Sequence, residues 1–245
     1  MDRFPAQLEE RHDSVRAALP GTIQHWNLNL NPPHTRNSGY LRTKHYDSSA
    51  TYLHAAIDQS LRRLQTDYLD LFLVHRPDPL VAFDEIADAA ERLLASGKIR
   101  AFGVSNFSAR QFDLLQAKTA LCVNQIELSP FAADALQDAM LETLALANAS
   151  AMVWSPLGGG RLFSESDPAA VRVREAMKLI QVKVGASSWL EIAYAWIFRL
   201  PGEPYLVTGS RRLDALREAL NGLALTLSRE DWFAILEAAR GQPVD

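Results

Sequence analysis

The run Leu69-Asp70-Leu71-Phe72-Leu73-Val74-His75, followed by Arg76-Pro77-Asp78-Pro79, sets the reading of the whole chain. So short and apolar a run predicts a strand buried on both faces, as in a parallel sheet covered by helices. Pro77 and Pro79 stop strand and helix alike, which makes His75 the last ordered residue before a loop. A titratable ring at the carboxyl end of a buried parallel strand stands where α/β folds place their chemistry. Alone, such a histidine reads as a structural residue. The flanking sequence decides otherwise.

On either side, strand-like and helix-like segments alternate. Tyr52–Leu64 spaces Leu53, Ile57, Leu61 and Leu64 along one helical face, and the strand Tyr68–Val74 follows. A helix over Phe83–Ala95 closes at Gly97, then Ala101–Val104 is strand-like and Ser108 caps a helix running to about Lys118. Leu121–Ile126 reads as a strand, Asp134–Asn148 as a helix and Ala151–Trp154 as a strand entering Pro156 and three glycines. Helices over Pro168–Val184 and Ser187–Leu200, a strand at Tyr205–Thr208 and a helix over Arg212–Leu220 complete the alternation, with Ser228 capping a last helix to Ala239. Strands that alternate with helices call for parallel pairing through right-handed crossovers. A doubly wound sheet and a (β/α)8 barrel both satisfy that pattern. The glycine fingerprint G-x-G-x-x-G follows none of the strands, which argues against a dinucleotide fold of the first kind. Five strands also fall short of the eight that a closed barrel needs.

Composition narrows the function classes. At 245 residues, with 48% apolar and 22% charged residues, the chain can bury a full core. A formal charge of −4 exerts no long-range pull on nucleic acid or anionic lipid. No apolar stretch reaches the roughly 18 residues of a membrane span, and Met1-Asp2-Arg3-Phe4-Pro5 has no apolar signal region behind it. The expectation is a cytoplasmic protein without nucleic-acid or membrane partners. Cys122 is the single cysteine, so no intrachain disulfide can form, and its apolar surroundings read as packing. His34, His45 and His54 lack metal-ligand spacing.

In parallel β/α folds the ligand lies beyond the carboxyl ends of the strands. Here those ends read His75; Ser105-Asn106-Phe107; Asn124-Gln125; Trp154-Ser155-Pro156-Leu157-Gly158-Gly159-Gly160; and Gly209-Ser210-Arg211-Arg212. Amide and hydroxyl groups suit a carboxamide, an indole suits an aromatic ring, glycine amides suit a pyrophosphate and arginines a further phosphate. A nucleotide fits this inventory.

These same stretches resemble the aldo-keto reductases. The resemblance rests on Ser60-Leu61-Arg62-Arg63-Leu64-Gln65-Thr66-Asp67-Tyr68-Leu69-Asp70-Leu71 leading into His75-Arg76-Pro77-Asp78, and on Gly97-Lys98-Ile99-Arg100-Ala101-Phe102-Gly103-Val104-Ser105-Asn106-Phe107. Asn124-Gln125-Ile126-Glu127 and Trp154-Ser155-Pro156-Leu157-Gly158-Gly159-Gly160 extend it from about residue 45 to the C-terminus, nearest a bacterial branch of oxidoreductases. It implies an α/β (β/α)8 TIM-type barrel that binds NADP(H) across its C-terminal face and transfers hydride to a small-molecule aldehyde or ketone. His75 would match the histidine that orients the carbonyl and assists its protonation. Ser105, Asn106 and Gln125 would match the side chains that hold the nicotinamide carboxamide, and Trp154 the aromatic residue stacked on the nicotinamide. Ser155, Leu157, Gly158, Gly159 and Arg161 would line the pyrophosphate, and Gly209, Ser210, Arg211 and Arg212 the adenosine 2′-phosphate. Ala215 stands where many relatives carry an arginine for that phosphate.

The resemblance also implies a proton-donating tyrosine with a lysine and an aspartate, all upstream of the histidine. Residues 1–45 read as a divergent segment, with a helix at Ala6–Ala18 and one weak strand in Ile23–Asn31, ahead of a barrel domain over 46–245. Lys44 lacks a preceding apolar strand, and Tyr40, Tyr46 and Tyr52 lack the aspartate motif, so these read as loop or helix packing. The barrel is therefore expected to be incomplete, with five clear β/α units. Three readings stand open at this point: a reductase, an NADP(H)-binding chain without turnover, or an inactive truncated reductase that binds nothing.

Overall fold

Ser49 starts the first helix among the described residues, because its backbone is extended and its side-chain oxygen accepts the Tyr52 amide at 3.3 Å. In the computed structural model, residues 45–210 and 212–244 are described. The expected elements in residues 1–44, including Tyr40 and Lys44, and the phosphate candidate Arg211 lie outside the described residues. Elements follow in the order α1 (Ala50–Leu64), β1 (Leu69–Val74), α2 (Phe83–Ala95), β2 (Ile99–Ser105), α3 (Ala109–Gln116), β3 (Val123–Glu127), α4 (Met140–Leu146), β4 (Ser150–Trp154), α5 (Pro168–Val184), α6 (Trp189–Phe198), β5 (Tyr205–Leu206), α7 (Leu213–Leu223) and α8 (Arg229–Arg240). This is the expected β/α alternation.

The chain divides into two compact units. The first holds the described residues up to Gln125 together with Thr143–Ala149. Its strands pair in parallel, β1 with β2 and β2 with β3, in a register that sets Leu73 beside Gly103 and Ser105 beside Gln125. Leu69 and Leu71–Val74 are buried, as the apolar run predicts, while the half-exposed Asp70 pairs with Arg100 at 3.1 Å. Gly103 is required by close packing: a Cβ there would lie 2.6 Å from Val123 Cγ1 and 2.8 Å from the Val123 carbonyl oxygen. Helix α1 buries Leu53, Ala56, Ile57 and Ser60, and α2 buries Ile86, Ala87, Ala89, Ala90 and Leu93, with the two helices packed on each other.

The second unit holds Ile126–Glu142 and Ser150–Asp245, with β4 and β5 parallel. Its core is built on α6, whose residues Glu191–Ile197 are all buried. The Trp196 and Trp232 rings stack at 4.8 Å, and each indole N–H donates to the other residue's carbonyl at 3.0 and 2.9 Å. That exchange satisfies both polar edges inside an apolar contact. Gly222 lets α7 approach α6, since a Cβ there would lie 2.7 Å from the Glu191 carbonyl oxygen.

One expected helix is divided. Asp134–Leu136 forms a single 3-10 turn, Ala139 adopts φ +62°, and α4 starts only at Met140, whose amide is taken by Asp138 Oδ1 at 2.9 Å. Asp138 competes for the backbone and starts a new helix instead of continuing the old one. Among the described residues, no helix is long and apolar enough to cross a membrane, and no His/Cys/Asp/Glu group could hold a metal ion.

Candidate active site

In the first unit, parallel register brings the tips of β1, β2 and β3 together. Asn106 follows β2 in the left-handed region, at φ +59°. This conformation turns its side chain back along the strand ends. Its Nδ2 donates to the His75 carbonyl oxygen at 3.3 Å and to Ser105 Oγ at 2.7 Å. Its backbone amide donates to the Gln125 carbonyl oxygen at 2.8 Å, which also accepts from Ser105 Oγ at 3.0 Å. Ser105 and Gln125 are buried, whereas His75 and Asn106 keep partial access to solvent. The four expected residues His75, Ser105, Asn106 and Gln125 therefore share one network. Asn124 serves a different purpose: fully buried, it donates from Nδ2 to the Phe107 carbonyl oxygen at 2.8 Å and holds the turn after β2.

Two further residues of this unit matter: Tyr46, read from the sequence as loop or helix packing, and Asp78, given no role there. The Tyr46 ring meets the His75 ring edge-on, with centroids 6.3 Å apart and planes at 63°. Asp78, buried in the loop after β1, accepts the Ser48 amide at 3.0 Å and the Leu80 amide at 2.9 Å. The signal for Asp78 was its place in the Arg76-Pro77-Asp78-Pro79 turn, whereas its partner Ser48 lies 30 residues away. Tyr52 sits half-buried on α1, where burial and the Asp47 charge raise its phenol above the usual range.

The second unit contains a cavity of about 510 Å³. Trp154, Ser155, Leu157 and Gly159 line one side, and Gly209, Ser210 and Arg212 line another. Gly158 and Arg161 do not line it. Arg161 instead pairs through Nε with Asp167 and lies over the Phe131 ring at 4.7 Å, on a separate cleft. The Asp167 carboxyl is held below its usual range by this partner. Gly158, Gly159 and Gly160 all have positive φ, which glycine adopts without steric cost. The amides of Gly158 and Gly160 donate within the loop, to the carbonyl oxygens of Ser155 at 2.8 Å and Leu157 at 3.3 Å. A Cβ at Gly160 or Gly209 would meet nothing within 4 Å. These glycines shape the path and leave room beside the cavity, more than they supply amides.

Sequence reading singled out Ala215 but missed Glu218, Leu190 and Tyr194 in the cavity wall. Ala215 and Glu218 follow Arg212 at intervals of three, one face of α7, and Leu190 and Tyr194 lie four apart on α6. That spacing was the available signal. Glu218 accepts from Ser188 Oγ at 2.9 Å, and burial together with the Glu218 charge raises the Tyr194 phenol.

In the first unit, a ring-and-amide cluster stands at strand ends; in the second, a mainly apolar cavity carries Arg212 on its wall, a lining that suits a ligand with an aromatic or apolar part and a phosphate. The sequence profile of the aldo/keto reductase family matches residues 33–240. The chain belongs to this family. Oxidoreductase YdhF of Escherichia coli strain K12 is 41% identical over 202 residues, covering 82% of this chain and 67% of that protein. A 6-dehydroglucose reductase of Agrobacterium fabrum is 39% identical over 205 residues, covering 83% of this chain and 68% of the relative. Among solved structures, the thermostable aldo-keto reductase Tm1743 superposes with TM-score 0.67 at 27% identity, covering 78% of this chain and 67% of that one. The glycerol dehydrogenase AKR11B4 of Gluconobacter oxydans shares the fold at TM-score 0.72 and 24% identity, with 81% and 68% covered. The α/β fold of barrel type and the resemblance read from the motifs both hold. This family member is an oxidoreductase of small carbonyl compounds that works with a nicotinamide dinucleotide, NAD(P)H.

Proposed function

We propose that this reductase is a cytoplasmic enzyme that uses NADPH to reduce an aldehyde, with His75 at the reacting carbonyl. The observation that carries the reading is the clasp of Asn106 on Ser105 Oγ and the His75 backbone carbonyl oxygen, which brings the end of β1, where His75 stands, beside amide and hydroxyl functions. When bound, the nicotinamide supplies the hydride. Ser105, Asn106 and Gln125 hold the carboxamide and so fix the rotation of that ring. His75 orients the carbonyl oxygen and assists its protonation. Trp154 offers a flat indole to an aromatic ring, and Ser155, Leu157 and Gly159 border the pyrophosphate. The chemistry of the donor set fits: an apolar cavity wall for ring and ribose, with Ser210 and Arg212 for a terminal phosphate. Ala215 contributes only a methyl group there, so phosphate selectivity rests on Arg212 and Ser210.

The 6-dehydroglucose reductases among its relatives make a sugar aldehyde the first compound to assay. Purified protein titrated with NADPH and with NADH, read by quenching of tryptophan emission, is expected to favour NADPH. Turnover of 6-dehydroglucose or 4-nitrobenzaldehyde is expected, and His75→Ala should lower it while NADPH affinity stays within about twofold, since only the reacting end is altered. NADPH binding without turnover of any aldehyde would sink the catalytic reading. Equal affinity for NADH would sink the NADPH preference.

A further inference from the structure

We propose that Tyr46 is a positioning residue for His75, resting on the reading of His75 as the residue at the carbonyl. Tyr46 lies on the short strap ahead of α1, and that strap is fastened at two points to the elements following β1. The Ser48 amide donates to the buried Asp78 carboxylate at 3.0 Å, and the same carboxylate takes the Leu80 amide at 2.9 Å from its own loop. The Ala50 amide donates to Glu85 Oε1 on α2 at 2.8 Å. Asp47 Oδ1 accepts the Ser49 amide at 2.9 Å, which closes the strap into a turn. A carboxylate accepting one amide from each of two segments couples their positions, since moving either strands a buried acceptor.

The consequence falls on His75. Its backbone carbonyl is held by Asn106 Nδ2, and its ring meets the Tyr46 ring edge-on at 6.3 Å and 63°. That arrangement is favoured by the ring quadrupoles. One contact fixes where the residue leaves β1 and the other fixes the plane of the imidazole. Tyr46 is 38% exposed and His75 half-buried, so the pair lies at the surface of its unit. Tyr46 acts through His75 by ring packing, and Asp78 acts through Tyr46 by holding the strap.

The test compares Tyr46→Leu, Tyr46→Phe and Asp78→Asn in the full chain. The readouts are kcat and KM for the aldehyde, NADPH affinity, and the imidazole carbon and proton resonances of His75 assigned by difference from His75→Ala. Tyr46→Leu should lower kcat on the order of tenfold and leave NADPH affinity within about twofold, because it loosens a reacting group and no binding contact. It should also move the His75 resonances, since the neighbouring ring current is lost. Tyr46→Phe, which keeps the ring, should retain both properties. Asp78→Asn should move the same resonances in the same direction by a smaller amount. Unmoved His75 resonances in Tyr46→Leu would overturn the inference, as would Tyr46→Phe behaving like Tyr46→Leu. If His75→Ala leaves turnover unchanged, the function reading fails, and the resonances alone then decide whether Tyr46 sets the imidazole plane. If His75→Ala lowers turnover and Tyr46→Leu does not, only the role of Tyr46 fails.

Discussion

Asn106 carries strain and three hydrogen bonds at once, and two substitutions separate them. At φ +59° a side chain with a Cβ is crowded, and asparagine is among the few residues that tolerate the region. Asn106→Gly removes the Nδ2 bonds to His75 and Ser105 and keeps a backbone that glycine adopts freely. Two lost bonds at about 1 kcal/mol each set its cost near 2 kcal/mol. Asn106→Ala loses the same bonds and adds the left-handed penalty of about 1 kcal/mol, for a total near 3 kcal/mol. Equilibrium urea unfolding should therefore rank wild type above glycine and glycine above alanine, with the two variants about 1 kcal/mol apart. In thermal scans the alanine variant should melt roughly 6–12 °C below wild type, taking about 2–4 °C per kcal/mol for a chain of this size. Both variants should bind NADPH more weakly, since each loses the amide assigned to the carboxamide. An alanine variant as stable as the glycine variant would refute the argument from φ. Unchanged stability in both would refute the hydrogen-bond account.

Two other perturbations test the packing and charge assignments. Gly103→Ala places a Cβ against the Val123 carbonyl oxygen at 2.8 Å, where a backbone atom cannot swing aside, and also against Val123 Cγ1 and Leu73 Cδ2. It should cost about 3 kcal/mol in urea unfolding, and a loss below about 0.5 kcal/mol would contradict the close approach of β2 to β3. The Asp231 carboxyl is pushed up by burial, but hydrogen bonds from Lys183 Nζ, at 2.9 Å to each oxygen, and from Ser228 Oγ, at 2.7 Å, outweigh that and hold its pKa below the usual range. A depressed folded pKa means stability that is full above the unfolded value near about 3.9 and is lost as pH falls through the folded value. Asp231→Asn should cost about 1.5 kcal/mol at pH 7, discounted for the exposure of Lys183. It should also flatten the fall in urea midpoint below about pH 4, and an unchanged acid slope would contradict the assignment.

Most elements were legible because each is written locally. The apolar run of β1, the Ser108 capping box of α3, the Asp167-Pro168 start of α5 and the Ser228 cap of α8 each fix an end or a face within a few residues. The expected helix over Asp134–Asn148 failed on equally local chemistry, because its hydrophobic spacing does not register that Asp138 takes the Met140 amide and Ala139 turns to positive φ. The glycine loop was located correctly, but which amides it spends on itself depends on its path, which three glycines leave open.

The candidate site divides along the same line. His75, Ser105 and Gln125 could be grouped from sequence because parallel strands in register bring their carboxyl ends together whatever the helices between them do. Register says nothing of Tyr46, which reaches His75 from a strap ahead of the first strand and is held there by a carboxylate 30 residues from the amide it accepts. Nor does it say that Arg161, next to the glycine loop in sequence, turns to Phe131 and Asp167. Strand topology thus fixes which backbones converge, and single polar contacts between distant segments fix where the side chains on them point. On the proposal that Tyr46 positions His75, the second kind of information governs the plane of the His75 ring. That is why substitutions at Tyr46 and Asp78 test its chemistry more sharply than substitutions in the strands that deliver it.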